Sequence, residues 1–232
     1  MALPRFFVEK LSVDDKRVVF DEAAARHIVQ VLRMEAGEQL MVTNGQGILL
    51  TAVLDQVGKK TAEARVDSAE RIPAKPVRSC VAISLVKNSS RFEWFLEKAG
   101  ELGVSEIIPL ICERTERQHF RGDRLRTIMQ SAMLQSQQSW ITELHDPIHF
   151  NEVLTRPFEM KLVAHCEEGG KALTISEVKK TTDTIILIGP EGDFTPAEIS
   201  AAKAAGYQDL SLGNTRLRTE TAGVVSAAFL QI

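Results

Sequence analysis

The sequence has few of the residues that build disulfide frameworks and metal sites. Its three cysteines lie far apart, form no Cys-x-x-Cys pair and are odd in number, so we expect reduced thiols. Its five histidines show no metal-ligand spacing, and we expect no metal. No apolar run approaches membrane-spanning length, and the N-terminus lacks the pattern of a signal peptide. These absences favour a cytoplasmic protein that does not insert into a membrane.

What is present is the composition of an ordinary globular chain. The 232 residues are 44% hydrophobic and 25% charged, which is enough to bury the core of one large or two small domains. The formal net charge of −3 selects no class of partner, because local patches of charge decide binding at so small a net value.

Residues 1–72 read as a small β-rich domain. An acidic start followed by apolar residues at helical spacing predicts one helix over Asp21–Met34. An Asn-Gly turn joins two of three predicted strands, which are Gln39–Thr43, Ile48–Val57 and Thr61–Ala69. Short strands with tight turns indicate a compact β-barrel-like unit. Two prolines within residues 72–76 mark a linker.

Residues 77–232 alternate between strands and helices. The predicted strands are Cys80–Val86, Val104–Ile111, Lys161–Cys166, Thr184–Ile188 and Asp209–Leu212. The predicted helices are Phe92–Leu102, Asp123–Trp140, a short one around Ser176, one beginning at Thr195, and Thr219–Ile232. This alternation predicts a parallel sheet covered by helices on both faces.

One strand-turn-helix stretch, Ile185–Glu198, restricts the kind of ligand it can bind. Thr195 and Glu198 form a capping box, which explains the helix start without any function. The preceding turn lacks the Gly-Lys-Ser/Thr ending of a P-loop and is not Gly-x-Gly-x-x-Gly. Its carboxylates, Glu191 and Asp193, would repel a triphosphate. A neutral or locally cationic ligand fits this turn better.

A second glycine-bearing turn, Leu212–Ala222, also joins a predicted strand to a predicted helix. Both turns follow the carboxyl ends of strands, and open α/β sheets bind ligands in the crevice at that edge. We therefore expect the two turns to converge on one crevice.

Together, GPEG in the first turn and LGNTRLRTETA in the second resemble the C-terminal signature of the RsmE family. Members of this family are uridine-N3 methyltransferases of small-subunit ribosomal RNA in the trefoil-knotted SPOUT superfamily. The resemblance covers essentially the whole chain, with further matches at Pro4–Val8, His27–Met34, Lys87, Lys98–Leu110 and Glu113–Arg114.

The resemblance implies an α/β SPOUT domain with a C-terminal knot over residues 77–232, preceded by a PUA-like RNA-binding β-barrel domain over residues 1–72. It implies S-adenosylmethionine as cofactor, bound in a bent pose in the knot, with a positive sulfonium that suits a turn carrying Glu191. By this resemblance, the cofactor-binding residues are Leu187, Gly189, Glu191, Gly192, Leu212, Gly213, Leu217 and Arg218. The three leucines are equally consistent with an ordinary core.

The implied reaction is methylation of uridine N3 in 16S ribosomal RNA, at the decoding-region uridine 1498, during ribosome maturation. The N3 proton must leave, so an arginine near the base would stabilise the uracil anion, and Arg218 is our candidate. An equal alternative is that Arg218 anchors Glu191 or Glu220. Glu220 is the candidate general base, but its place at a helix start lowers its basicity, and proton loss to water is as good an alternative.

RNA binding is expected to rest on arginines and lysines in both domains. The densest basic stretch runs from Arg114 to Arg126, although such stretches are more often solvated faces. The candidate RNA-binding residues are Arg5, Arg26, Arg33, Lys87, Arg114, Arg117 and Arg121. The expected partners are 16S ribosomal RNA or the assembled small subunit and, as in other SPOUT enzymes, a second copy of the chain.

Two departures from the family pattern leave alternatives open. Asp193 stands where the family often has glycine, and Leu134–Gln138 keeps only part of the Glu-Gln-Ser-Gly-Arg stretch that the family commonly shows. Aspartate tolerates left-handed backbone angles better than most residues, so the turn can persist. The alternatives are a different nucleotide or tRNA as target, and a catalytically silent RNA-binding protein that keeps the knot as scaffold.

Overall fold

The computed structural model describes residues 3–58, 60–116, 119–166, 172–178 and 182–231. The chain forms two compact units. Unit 1 comprises Met1–Ala74 together with Met133–Ile141, and unit 2 comprises Lys75–Ala132 together with Thr142–Ile232. The inclusion of Met133–Ile141 in unit 1 differs from the division predicted from sequence.

Unit 1 is built on a five-stranded sheet. Its strands are β1 (Arg5–Phe7), β2 (Arg17–Phe20), β3 (Gln39–Thr43), β4 (Ile48–Val57) and β5 (Ala62–Arg71). The order across the sheet is β1-β3-β4-β5-β2, with a parallel β1–β3 pair and antiparallel pairs elsewhere. Register shifts within the β4–β5 pair bend these long strands. Alternate residues point to one face and form the core with Phe6, Phe20 and Leu50 among its members.

The segment after β2 is a short helix that changes type. Helix α1 (Glu22–Arg26) begins at Asp21, whose carboxylate accepts the backbone N–H of Ala24, and a π-helical turn follows over His27–Val31. The backbone N–H of Leu32 donates to the carbonyl of His27 at 2.9 Å, five residues back. The sequence predicts one helix to Met34, but the wider π turn leaves Val31 and Leu32 66% and 42% exposed.

The Met133–Ile141 segment joins unit 1 through the β3–β4 turn. Gly47 has φ +84, and a Cβ there would lie 2.5 Å from the carbonyl oxygen of Ile72 and 2.6 Å from the Trp140 ring. The Trp140 indole N–H donates to that same Ile72 carbonyl at 3.0 Å, and Gln46 forms an isolated bridge with Trp140. A glycine is required here because three backbone segments meet without room for a side chain.

Unit 2 contains an eight-stranded sheet whose described pairs are all parallel. The order is β11-β13-β10-β12-β6-β7-β8, with β9 paired to β7. The strands are β6 (Ser79–Ser84), β7 (Glu106–Ile111), β8 (Glu143–Leu144), β9 (Ile148–His149), β10 (Met160–Ala164), β11 (Leu173–Thr174), β12 (Thr184–Ile188) and β13 (Gln208–Ser211).

Helices cover both faces of this sheet, so the predicted α/β fold class is confirmed. They are α2 (Ser89–Leu102), α3 (Gly122–Gln135), α4 (Phe150–Val153), α5 (Pro196–Ala204) and α6 (Thr219–Gln231), with a 3-10 turn at Ile175–Glu177. Side chains of α4 and α5 share a core with the sheet residues Cys80, Ala82 and Leu187. On the other face α6 packs on β6, β12 and α2.

The path of the chain after β13 determines where the ligand-binding edge forms. Strand β13 lies beside β10, but the turn after it returns to the middle of the sheet, where α6 packs tightly. At Gly223 a Cβ would lie 2.7 Å from the side chains of Ile83 and Phe95, so glycine permits this approach. This return places α6 against β6 and β12.

Candidate functional site

A cavity of unit 2 lies at the carboxyl ends of β10, β12 and β13, where the two glycine-bearing turns predicted a ligand-binding crevice. It has a volume of about 940 Å³. Its lining comes from residues 164–166 at the end of β10, from residues 188–191 and Asp193 at the end of β12 and in the turn after it, and from residues 209–219, which run from β13 to the first residue of α6. Ala172 and Ala222 complete it. Parallel strands end at one edge of a sheet, which is why three chain segments far apart in sequence meet here.

The first glycine turn is held close to the core. A Cβ on Gly189 would lie 3.0 Å from the backbone nitrogen of Phe194, whose ring is buried against Phe150 at 5.3 Å between centroids. The hydroxyl of Thr219 donates to the carbonyl of Gly189 at 3.0 Å, and both residues are buried. This hydrogen bond joins the first turn to the start of α6 and therefore to the second turn.

Asp193 occupies the left-handed region with φ 63, so the turn survives the replacement of glycine. Its backbone N–H donates to the carbonyl of Pro190 at 2.9 Å. Its carboxylate accepts the N–H of Phe194 and the N–H of Cys166, each at 2.8 Å. Burial and then the Asp193 charge raise the pKa of the Cys166 thiol. Asp193 is therefore hydrogen-bonded across the cavity edge.

The second glycine turn forms the opposite side of the cavity. Gly213 has φ +120 with nothing within 4 Å of its Cβ position, so backbone conformation rather than space requires glycine. Leu212 and Leu217 are half-buried, and Arg216 and Arg218 are exposed. All of these residues line the cavity. Arg218 accepts the N–H of Ala222 with its carbonyl and so lies at the positive N-terminal end of α6.

Carboxylates give this cavity a negative component. Glu191 and Asp193 come from the first turn, and Asp209 comes from the end of β13. Asp209 accepts hydrogen bonds from His165 and from Lys203, each at 2.9 Å. Although burial raises the pKa of Asp209, these two partners lower it overall. The cavity thus combines apolar walls with acidic groups that disfavour polyphosphate ligands.

Comparison with known proteins shows the family to which this chain belongs. The model of a family described as RNA methyltransferase domain matches residues 73–231, and that of an RNA methyltransferase PUA domain matches residues 20–67. A solved structure from Neisseria gonorrhoeae, named ribosomal RNA small subunit methyltransferase E bound to S-adenosyl methionine, is 30% identical with a TM-score of 0.87, covering 99% of this chain and 97% of that one. The chain belongs to the RsmE family.

Other proteins align with it over similar lengths. A structure from Porphyromonas gingivalis, named a probable rRNA-methyltransferase, is 36% identical with a TM-score of 0.89, covering 99% of this chain and 98% of that one. The ribosomal RNA small subunit methyltransferase E of Synechocystis is 28% identical over 231 residues, which are 97% of this chain and 76% of the relative. The predicted family, its methyltransferase activity and its PUA-like module are confirmed.

Three of the residues that the RsmE resemblance implicated lie away from the cavity lining. Leu187 is fully buried in the core with the side chains of α4 and α5, because strand alternation turns it to that face. Gly192 contacts the side chain of Arg114, to which its carbonyl is hydrogen-bonded at 2.7 Å. Glu220 is buried on the side of α6 that faces α2, where Arg91 lies 3.5 Å from its carboxylate. The other predicted cofactor residues line the cavity: Gly189, Glu191, Leu212, Gly213, Leu217 and Arg218.

The sequence interpretation missed several lining residues, notably His165, Cys166 and Asp209. The first two follow the end of β10 directly. Parallel strands present ligands at their carboxyl ends, and this holds for β10 as it does for the strands before the two glycine turns. No glycine motif marks these positions in the sequence.

Two of the candidate RNA-binding residues of unit 2, Lys87 and Arg114, contact the first turn. The backbone N–H of Lys87 donates to Glu191 at 2.9 Å, and its ammonium pairs with Glu116 at 2.7 Å. Arg114 is bonded to the Gly192 carbonyl, and Arg121 donates to His119 at 3.1 Å. Arg117 lies outside the described residues. The Arg114 end of the basic stretch is thus beside the cavity turn, as its use in RNA binding would require.

The candidate RNA-binding residues of unit 1 have unequal surroundings. Arg5 is half-buried, and its guanidinium is bonded to the Gln137 carbonyl and to the sulfur of Met41. Burial lowers its pKa, partly offset by Glu70. Arg26 pairs with Glu22 one helical turn earlier. Arg33 is exposed in the left-handed region with φ 55.

Within the described ranges, no group of three or more His, Cys, Asp or Glu residues could hold a metal ion. Nor does that part of the chain contain a helix long and apolar enough to cross a membrane.

Proposed function

We propose that this protein transfers a methyl group from S-adenosylmethionine to N3 of a uridine in 16S ribosomal RNA, at decoding-region position 1498. The observation that carries the proposal is the cavity of about 940 Å³ at the ends of three parallel strands, in a chain of the RsmE family. The relative from Neisseria gonorrhoeae, whose fold this chain shares, is named as bound to the same cofactor.

The residues of the cavity fit this cofactor. Its volume is in the range of sites that enclose drug-sized ligands. Leu212, Leu217 and Ala222 offer apolar surface to an adenosine. Glu191 favours a positive sulfonium and would disfavour a phosphate. When bound, S-adenosylmethionine supplies an electrophilic methyl group.

Arg218 is placed to stabilise the nucleobase as it loses its proton. The side chain is exposed at the cavity edge, and it forms no ion pair within the described residues. Its position at the N-terminus of α6 adds the positive end of the helix dipole. Both features favour the negative charge that uracil develops at N3 and its carbonyl oxygens.

Glu220 fits a structural role better than that of general base. Its carboxylate is buried beside Arg91, and one of its oxygens has no hydrogen-bond partner within the described residues. A group that lies outside the cavity lining cannot take the proton without a rearrangement of α6. We therefore propose that the N3 proton leaves to water.

RNA would be held separately by each unit. In unit 2, Lys87 and Arg114 place positive charge beside the first turn. Arg121 adds a further positive charge later in the same basic stretch, where it contacts His119. In unit 1, the exposed Arg33 and the PUA-type fold support contact with phosphates. Such contacts position an RNA without reading its sequence. A ribosomal substrate would place the protein in the cytoplasm.

Methyl transfer from labelled S-adenosylmethionine to unmodified small subunits tests the reaction. We expect incorporation that mass analysis maps to 3-methyluridine in the decoding region. A mark on another nucleotide or on tRNA would refute the target but keep the enzyme. RNA binding without any incorporation would instead establish the alternative of a catalytically silent RNA-binding knot protein, which the altered Leu134–Gln138 stretch keeps open.

We also propose that the protein acts as a homodimer, as the SPOUT resemblance implied. Helix α6 is apolar enough to take part in such an interface, and it is equally consistent with a plain core helix. Light scattering should give a mass of twice 25.7 kDa. A mass of one chain at micromolar concentration would contradict the dimer.

A further inference from the structure

Asp193 combines a left-handed backbone conformation with a fully used side chain. Its φ of 63 lies in the region where glycine is favoured, and the two other non-glycine residues there are Arg33 and Gln137 among those described. Aspartate tolerates this conformation better than most residues, so the turn accommodates its side chain, and the hydrogen bonds of that side chain show what it holds.

The side chain of Asp193 connects two segments that are far apart in sequence. One carboxylate oxygen accepts the N–H of Phe194, and the other accepts the N–H of Cys166 across a separation of 27 residues. Both bonds are 2.8 Å long, the length of a charge-assisted hydrogen bond. Phe194 is buried in the core, so its hydrogen bond fixes the Asp193 carboxylate to the core.

This connection lies beyond the end of the sheet. The register of β10 and β12 ends at the pair Ala164 and Ile188. The next residues, including Cys166 after β10, already line the cavity. The backbone of Cys166 is therefore held to the first turn by a side chain, where the ladder of strand hydrogen bonds no longer reaches.

We propose that Asp193 is a positioning residue for the cofactor cavity, which fixes the wall formed after β10 against the turn formed after β12. The inference rests on the proposed function, because it assigns that cavity to S-adenosylmethionine. Glycine at the same position, as the family often has, would keep the turn but lose the link to Cys166. The wall at Cys166 is then less ordered before the cofactor binds, and part of the binding free energy orders it.

The test compares the wild-type protein with D193G and with Q137G as a matched control. Gln137 also has a positive φ, 57, and an exposed side chain, so its replacement by glycine controls for the added backbone freedom at a residue that does not line the cavity. Amide hydrogen exchange of Cys166 is measured in the free protein, and dissociation constants are measured by calorimetry for S-adenosylmethionine and for S-adenosylhomocysteine, which lacks the sulfonium charge.

We expect faster exchange of the Cys166 amide in D193G alone, and about tenfold weaker binding of both ligands, while the turnover number at saturating cofactor stays within about twofold. Unchanged exchange or unchanged binding would overturn the proposal. A loss confined to the charged S-adenosylmethionine would also overturn it, because Asp193 would then act by its charge. If wild type binds neither ligand, the proposed function fails, whereas the exchange result still tests the link itself.

Discussion

The hydrogen bond from Thr219 to Gly189 joins the two turns that line the cavity, and its removal should be measurable in both stability and binding. The substitution Thr219→Val keeps the branched shape and removes the hydroxyl. Helix propensity is similar for the two residues, so α6 itself should be little affected. What is lost is a 3.0 Å hydrogen bond between buried partners.

The magnitude follows from the burial of the acceptor. A typical intramolecular hydrogen bond contributes about 1 kcal/mol, and a buried carbonyl left without that donor costs about 1–3 kcal/mol. We therefore expect Thr219→Val to lower the free energy of unfolding by about 2 kcal/mol, and the Tm by about 5 °C for a chain of this size. Binding of S-adenosylmethionine should weaken by about tenfold, because the two turns lose their direct connection.

Thr219→Ser is the matched control, since it keeps the hydroxyl and removes one methyl group, at about 0.8 kcal/mol. Urea unfolding and calorimetric titration of the cofactor give the two quantities. If Thr219→Val is as stable as Thr219→Ser and binds the cofactor as wild type does, the connection between the turns carries none of the energy assigned to it.

Three further substitutions probe the proposed catalytic arginine, the fold of unit 1 and a surface ion pair. Arg218→Ala should lower the turnover number by about 10²-fold with cofactor affinity little changed, while Arg218→Lys should retain part of the activity. Single-turnover methylation measures both variants. If both are as active as wild type, Arg218 takes no part in the chemistry. Gly47→Ala should lower the Tm far more than Gly206→Ala. Both glycines have positive φ, but only Gly47 has a backbone oxygen 2.5 Å from its Cβ position. Equal losses of Tm in calorimetry would show that the backbone conformation, and not the close contact, sets the cost. Asp183→Asn should cost under about 1 kcal/mol at pH 7. This difference in the free energy of unfolding should shrink as the pH falls below about 4. Hydrogen bonds from Arg78 lower the pKa of Asp183, and their stabilisation is lost when the carboxyl is protonated. A difference that persists at pH 2 in urea unfolding would contradict this role of the Arg78–Asp183 pair.

Local sequence signals predicted several elements at the positions the structure shows. Strand Ile48–Val57 and strand Thr184–Ile188 have the predicted bounds. The Thr195 capping box is present, with its reciprocal hydrogen bonds to Glu198. Apolar runs, turn residues and caps act over a few neighbouring residues, so one stretch of sequence contains the whole cause.

Other elements depend on partners distant in the chain. Helix α3 was predicted to run to Trp140 but ends at Gln135, and the indole of Trp140 donates instead to the Ile72 carbonyl. The His27–Val31 turn is π-helical, although its residue pattern resembles an ordinary amphipathic helix. At Trp140 a tertiary contact overrides a local preference that is worth only a fraction of a kcal/mol per residue.

The cavity residues likewise fall into those that the sequence predicted and those that depend on the tertiary structure. The sequence by itself determined that two glycine turns follow strands of a parallel sheet, and that the carboxylates of the first turn disfavour a triphosphate. Only the tertiary structure decided that Glu220 faces Arg91 instead of the cavity, and that Asp193 reaches the backbone of Cys166. The physical reason is that a side chain's direction depends on helix phase and on neighbours brought together by the sheet, and neither is recorded in the residues beside it.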